Sequence, residues 1–522
     1  MDKSKNKNIF YYLNHKHLIG EIEQYGYVIT AKKLIIMYVL VVAASILSAY
    51  LFKLTATGYV IICASALILT PRLLLYSYRA MYEQRRFSDA SKYIEKMLYY
   101  FKANKNILTA LKNAEIIFHE GIMKQTINEA IDYIRNQDDS KLSSDVLTVF
   151  KNESSDTGKR NVEEKALRII ELKYPNKRIR QMHKFFLTVE KNGGNPDLGI
   201  EMQLKERERW TSEVVTQQKE RSNLRKYFVI FSVLMIILCL SFLYIPIIYP
   251  VFGFDLSEYT MVRGASVITI VVTLVLYTKL NKSVSKSWLE EDKKRSDEEQ
   301  AKRYYDIVNY NEKKELTKSL IYTLISVCIT ALLFIITSSK IILIAGGCIS
   351  VFLACSYKIG YKLGKKDMAA ELQEAFSEWI MQIALLMQFD NVPMSVVKSY
   401  DTAPGILKPE INKMLIALDE QPTSPVPFND FLSFFNLPEV NEAMNALYSV
   451  MTAAGSDIDK ELKAILERNR KLADKVYEMK QQDKSAANEI YIYGEIAVGS
   501  LLMLVDSLYM MLSFMSTMGN LV

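Results

Sequence analysis

The sequence predicts an all-α fold: a polytopic membrane protein with about seven transmembrane helices and two related cytoplasmic helical-bundle domains. Three observations predict it. Apolar residues, 50% of the 522-residue chain, collect in long blocks separated by highly charged stretches. Between the blocks apolar residues recur at helical spacing, with no alternating run long enough for a sheet. Lys and Arg gather on one side of the blocks, as they do around membrane spans.

A helix crosses hydrocarbon with roughly 20 apolar residues. By that rule spans are expected at 34–52, 54–75, 227–252, 262–280, 319–337, 341–357 and 490–515. The first six pair as hairpins, 34–75, 227–280 and 319–357, and the seventh is a lone helix within 489–517. Lys32 and Lys33 precede the first span, and Arg72, Arg79, Arg85 and Arg86 follow the second. Arg221, Arg225 and Lys226 precede the third; Lys279, Lys282 and Lys286 follow the fourth; Lys358, Lys362, Lys365 and Lys366 follow the sixth. The opposite loops carry only Lys53, Arg263 and Lys340. Basic residues favour the cytoplasmic side. The expected localisation is therefore the cell (inner) membrane, multi-pass, with the N-terminal segment 1–33 and the polar regions 76–226, 281–318 and 358–488 in the cytoplasm. The tail 518–522 is expected outside. No apolar run directly follows the basic N-terminus, so no cleavable signal peptide is expected.

In the first polar region, 76–226, helix faces are marked by Tyr93, Met97 and Phe101, by Ile127, Ile131 and Ile134, and by Met182, Phe185 and Val189. Gly193 and Gly194 form a turn. Asn195-Pro196-Asp197 then reads as a helix start, with Asn as cap, Pro at the first position and an acid in the first turn. The helix it opens runs through Trp210 and Arg225 into the third span, where Pro246 and Pro250 are expected to kink or end it. A charged, helix-prone connector, 281–318, separates the two halves. In the second polar region, 358–488, Leu372, Phe376, Trp379, Ile383 and Leu386 mark a face, and Pro393, Pro409 and Pro438 suit first turns. After a turn at Gly455, a charged helix, 459–484, feeds the last span.

The two polar regions repeat each other. YIEKMLYYFKANKNILTALKNA from Tyr93 faces WIMQIALLMQFDNVPMSVVKSY from Trp379: an apolar helix, a polar turn, and a second helix with small or branched core residues. EKNGGNPDLGIEMQLKERERW then faces MTAAGSDIDKELKAILERNRKL: a Gly turn, an acid, and a long charged helix entering a span. With these segments in this membrane context, the chain resembles the type II secretion system F-domain family, the inner-membrane platform proteins of secretion systems and type IV pili. Its layout is similar to a fusion of the paired platform proteins of tight-adherence (Flp-type) pili. The resemblance covers nearly the whole chain after about Lys32. Asn104-Lys105-Asn106 departs from it, standing where many relatives have a Gly-containing turn. The resemblance implies two F-like helical domains that dock on a cytoplasmic secretion ATPase. It also implies spans that guide pilin-like subunits into a fibre, and a homodimer or higher oligomer in the lipid bilayer.

No catalytic constellation accompanies this layout, so no enzyme activity and no cofactor are expected. Gly360-Tyr-Lys-Leu-Gly364-Lys365-Lys366 has the wrong spacing for a phosphate-binding loop and lacks the Ser or Thr that would hold magnesium. Cys63, Cys239, Cys328, Cys348 and Cys355 all lie in apolar blocks and fit neither a metal site nor a disulfide framework. His15, His17, His119 and His183 are scattered. The net charge of +7 reflects the membrane flanks, and no nucleic acid is expected as a partner.

The candidate intramembrane polar residues are Glu495 and Asp506 of the last span, which lie on nearly one helix face. Acids in a span cost a few kcal/mol unless paired or hydrated. Glu495 is expected to be hydrated near the cytoplasmic interface. Asp506 is expected either to pair with a hydroxyl or basic group or to join a polar track contacting other spans, a pilin segment or an ion path. The candidate turn residues are Gly193, Gly194, Pro196, Pro393 and Gly455. The competing function is a membrane transporter or channel with internally duplicated halves. A membrane-bound sensor or enzyme is a third class.

Overall fold

Long uninterrupted helices organise the chain. The computed structural model describes residues 9–137, 162–193, 196–249, 254–289, 297–337, 340–387, 390–452 and 458–519. Among these residues the secondary structure is helical, with no strand. Five helices are long and apolar enough to cross a membrane, which is compatible with a membrane protein. They are Ala31–Leu51, Ala56–Asn104, Asp197–Ile248, Thr260–Val284 and the segment Glu489–Ser516. The expected spans 319–337 and 341–357 fall on helices whose side chains are described only in part.

The chain divides into two compact units. The first comprises Met1–Gly193, Ile200–Glu291 and Gln481–Val522. It opens with a 3₁₀ turn, Ile9–Leu13, and α1, His15–Gln24, capped by the Asn14 side chain accepting from the Lys16 amide. Leu18 and Ile22 of α1 bury against Leu34, Leu74 and Leu75. Next come α2, Ala31–Leu51, and α3, Ala56–Asn104. The expected boundary at residue 75 is not a break: α3 passes through Pro71 and Arg72 without stopping. The Thr70 hydroxyl donates to the Ala66 carbonyl beside the proline. The apolar segment and the first bundle helix are thus one rod.

The bundle of this unit adds α4 (Ile107–Ile117), α5 (Ile122–Asn136), α6 (Val162–Lys173), α7 (Lys177–Asn192) and the start of α8 (Asp197–Ile248). All the residues expected on the first and third faces are buried: Tyr93, Met97, Phe101, Met182, Phe185 and Val189. Ile127 and Ile131 are buried too, while Ile134 is only half-buried because the face drifts to Tyr133. Phe101 and Phe186 stack at 4.1 Å between ring centres. Burying an aromatic ring of this kind contributes about 1.5–3 kcal/mol. α8 begins at Asp197, so Pro196 directly precedes it instead of occupying its first turn. Pro246 lies two residues inside its far end, Ile248; Pro250 lies outside the described residues. A 3₁₀ turn, Leu256–Glu258, leads to α9, Thr260–Val284.

The second unit comprises Gly194–Gly199 and Asp292–Lys480. It holds α10 (Asp297–Val308), α11 (Glu312–Thr337), α12 (Lys340–Leu386), α13 (Val392–Ser399), α14 (Lys408–Glu420), α15 (Val426–Asn429) and α16 (Pro438–Thr452). α17, Ile458–Gly519, begins in this unit, and its residues from Gln481 belong to the first. α11 and α12 form a tight hairpin. A Cβ on Gly346 would overlap the Thr330 side chain, with Thr330 Cβ at 2.8 Å, so the glycine permits that approach. Gly347 faces open space. Pro393, Pro409 and Pro438 all sit in first turns. Leu372, Phe376, Trp379 and Ile383 are buried; the face continues at Met387, while Leu386 is half-buried.

The repeat noted in the sequence has a matching burial register. Tyr93, Ile94, Met97, Leu98 and Phe101 are buried in α3, and Trp379, Ile380, Ile383, Ala384 and Met387 occupy the corresponding buried positions in α12. Across a turn shorter by one residue, Ile107, Ala110, Leu111 and Ala114 correspond to Val392, Ser395, Val396 and Ser399, again all buried. Each second helix is capped by an asparagine, Asn106 accepting from the Thr109 amide and Asn391 from the Met394 amide.

Candidate carboxylate site between three helices

Three helix segments of the first unit, from α8, α9 and α17, meet along their apolar stretches. Towards one end Leu224 and Phe228 of α8 pack with Leu280 and Val284 of α9 and Ile492 of α17. Towards the other, Cys239, Leu243, Val262 and Leu502 pack with Ile62 and the α2–α3 turn residues Phe52 and Leu54. Two glycines of α17 set the spacing. A Cβ on Gly494 would meet Leu276 of α9 at 3.5 Å. One on Gly499 would run into the Met235 side chain of α8, with Met235 Cβ at 3.4 Å. Small residues allow this approach where apolar burial alone gives little drive between membrane helices.

Both predicted acids face this contact. Glu495 is 3% exposed, and its Oε1 accepts a 3.0 Å hydrogen bond from Thr273 Oγ1 of α9. The expectation of a hydrated Glu495 is not met, because Gly494 and Gly499 draw that turn of α17 inward against α9 and α8. Asp506 is 2% exposed. Among the described residues, Glu495 Oε2 and Asp506 Oδ1 are buried oxygens with no hydrogen-bond partner. Ser232 Oγ of α8, a second hydroxyl beside Glu495, is also buried without a hydrogen-bond partner among the described residues, whereas Cys239 Sγ donates to the Gly499 carbonyl at 3.7 Å and Ser513 Oγ to the Tyr259 hydroxyl at 2.7 Å. Lys53 and Asp255 pair at 2.9 Å between the α2–α3 turn and the loop before α9.

The predicted turn residues lie elsewhere. Gly193 caps α7 at φ +74, a left-handed conformation that favours glycine, and its amide donates to the Val189 carbonyl at 2.8 Å. Pro196 abuts α8, and Pro393 is the second residue of α13. Gly194 and Gly455 lie outside the described residues. The structure gathers Glu495 and Asp506 into one contact and leaves these turns as local structural features.

Three polar clusters were not read from the sequence. In the first, His183 is 1% exposed, with Nε2 at 2.9 Å from the Tyr93 hydroxyl and Nδ1 at 3.0 Å from Glu171 Oε1. Burial alone would raise the Glu171 carboxyl, but hydrogen bonds from His183 and Arg168 prevail and hold it below the usual range. Burial, reinforced by the Glu171 charge, pushes the Tyr93 hydroxyl well up. The available signal was His183 falling on the same face as Ile179, Met182 and Phe186. In the second, Glu206 of α8 is held by Arg178 of α7 at 2.8 and 3.1 Å and by Arg209 at 3.0 Å. In the third, buried Glu410 accepts from Tyr304, from Lys413 and from the Leu432 amide.

Comparison with protein families, curated proteins and solved structures returns no match to this chain.

Proposed function

We propose that the protein is an inner-membrane platform of a type IV pilus or type II secretion-like machine. In this reading it couples a cytoplasmic secretion ATPase to the assembly or export of pilin-like subunits. The observation that carries the reading is helix continuity. α8 runs from a polar bundle into an apolar stretch without a break, and α17 runs from a charged stretch into another. The matched burial registers of α3–α4 and α12–α13 support a duplicated domain, one copy before each of these helices. In this reading the α11–α12 hairpin is the fifth and sixth of seven spans, and the distribution of Lys and Arg supports a cytoplasmic N-terminus and cytoplasmic bundles. The platform works as a homodimer or higher oligomer and carries out no chemistry of its own.

Crosslinking in native membranes followed by identification of co-purifying proteins tests this. Recovery of a secretion-type ATPase with pilin-like subunits, lost when residues 76–226 or 358–488 are deleted, is the expected result. Recovery of neither under effective crosslinking overturns it. The buried acids of α17 favour a second reading, a transporter or channel, for which solute flux through the purified protein in liposomes is the direct assay.

A further inference from the structure

The span stretches of α8, α9 and α17 contain no basic side chain between Lys226 and Ile248, between Gly264 and Thr278, or between Glu489 and Gly519. Two carboxyl groups nevertheless sit buried at their contact. One oxygen of each has no hydrogen-bond partner among the described residues. An ionised carboxylate in hydrocarbon requires a counter-charge or water, and its desolvation otherwise costs several kcal/mol. The titratable side chains of the two apolar clusters along this contact do not supply that charge. They are the Cys239 thiol and Tyr244 of α8, Tyr277 of α9, Tyr259 just before it, Tyr59 of α3, and Tyr491 and Tyr509 of α17 itself. The charged groups at the margins are engaged or distant along the helices: Lys53 is paired with Asp255, Arg263 lies in the first turn of α9, and Arg225 lies two turns before Ser232.

We propose that Glu495 and Asp506 form a proton-binding site within the membrane, each carboxyl carrying an exchangeable proton that substitutes for the missing counter-ion. The proposal rests on α17 spanning the bilayer and not on any role in secretion. A bound proton suits the geometry better than a metal cation does. A metal ion collects several oxygen ligands, whereas Glu495 has only the neutral hydroxyls of Thr273 and Ser232 as side-chain oxygen neighbours, and the Gly499 carbonyl beside it already accepts from Cys239. Loss of either proton leaves a charge in an apolar contact, so the α17 contact with α8 and α9 is tightest when both are bound.

The test is labelling of the full-length protein in native membranes with a hydrophobic carbodiimide, which reacts with protonated carboxyls, followed by peptide mass spectrometry of residues 489–519. Expected are adducts on both Glu495 and Asp506. Their yield should fall from mildly acidic to mildly alkaline buffer, be indifferent to sodium, and disappear site by site in Glu495→Gln and Asp506→Asn. A spectroscopic readout runs in parallel: protonated-carboxyl C=O bands in the infrared that each variant removes. Absence of adducts when the peptide is recovered, an adduct on only one residue, a yield independent of pH, or protection by sodium each overturns the proposal. Equal labelling by a membrane-impermeant carbodiimide shows instead that α17 is not in the bilayer, a failure separate from that of the proton site.

Discussion

Replacing Glu206 with Gln should loosen α8 from α7. The Glu206 side chain is about a quarter exposed and is shared by two guanidinium groups, and Arg178 also lies over the Trp210 ring at 5.1 Å. Burial alone would raise the carboxyl, but the charges of Arg178 and Arg209 and their hydrogen bonds outweigh it and pull the pKa from 4.5 to about 2. At about 1.4 kcal/mol per unit this is an upper bound of roughly 3.5 kcal/mol, and partial exposure reduces it to about 2 kcal/mol. Because the folded value is depressed, the stabilisation is complete above about pH 4.5 and is lost as the pH falls towards about 2. Hydrogen exchange of the detergent-solubilised protein reads this locally. In Glu206→Gln, amides of α7 and the first turns of α8 should exchange about 30-fold faster at neutral pH. Corrected for the intrinsic pH dependence of exchange, the protection of these amides in the wild-type protein should fall towards the variant's as it is acidified through the same window. Equal protection in both proteins at neutral pH would refute the assignment of the clamp.

Lys105 holds the left-handed conformation at φ +50 that closes α3, which strains a residue bearing a Cβ, so Lys105→Gly should stabilise the bundle by about 1 kcal/mol, seen as a higher melting temperature that Lys105→Ala does not reproduce. His183→Leu leaves the Tyr93 hydroxyl and Glu171 without their buried partner and should cost about 1–3 kcal/mol, read as faster exchange in α6 and α7. Gly346→Ala forces α11 and α12 apart because the obstructing Thr330 is β-branched. An engineered disulfide replacing Ser326 and Ser350, whose hydroxyls lie 3.1 Å apart, should form readily alone and poorly in the Gly346→Ala background.

Much of the fold is legible in the sequence because burial repeats with the helical period. Tyr93, Met97 and Phe101, or Leu372, Phe376 and Trp379, declare their faces without reference to a neighbour. Helix starts are legible where a proline occupies a first turn, as at Pro393, Pro409 and Pro438. The continuity of α3 through residue 75 is not, because composition changes there while the hydrogen-bond ladder does not. The burial of Glu495 is hidden for a different reason: it depends on Gly494 and Gly499 meeting Leu276 and Met235, residues more than two hundred positions away. The pairing of Glu206 with Arg178 is lost among the many charges of Lys205-Glu206-Arg207-Glu208-Arg209, any of which could have faced solvent.

α8 is fastened at two places, by the Glu206 clamp and by the close approach of Met235 to Gly499, about 45 Å apart along its axis. No glycine or proline interrupts the helix between them. A continuous helix held in this way offers no hinge between its two supports. A torque applied to the bundle at one support therefore arrives at the other as an angle rather than dissipating in a hinge. Glu495, one helical turn from Gly499, sits where that angle would be felt.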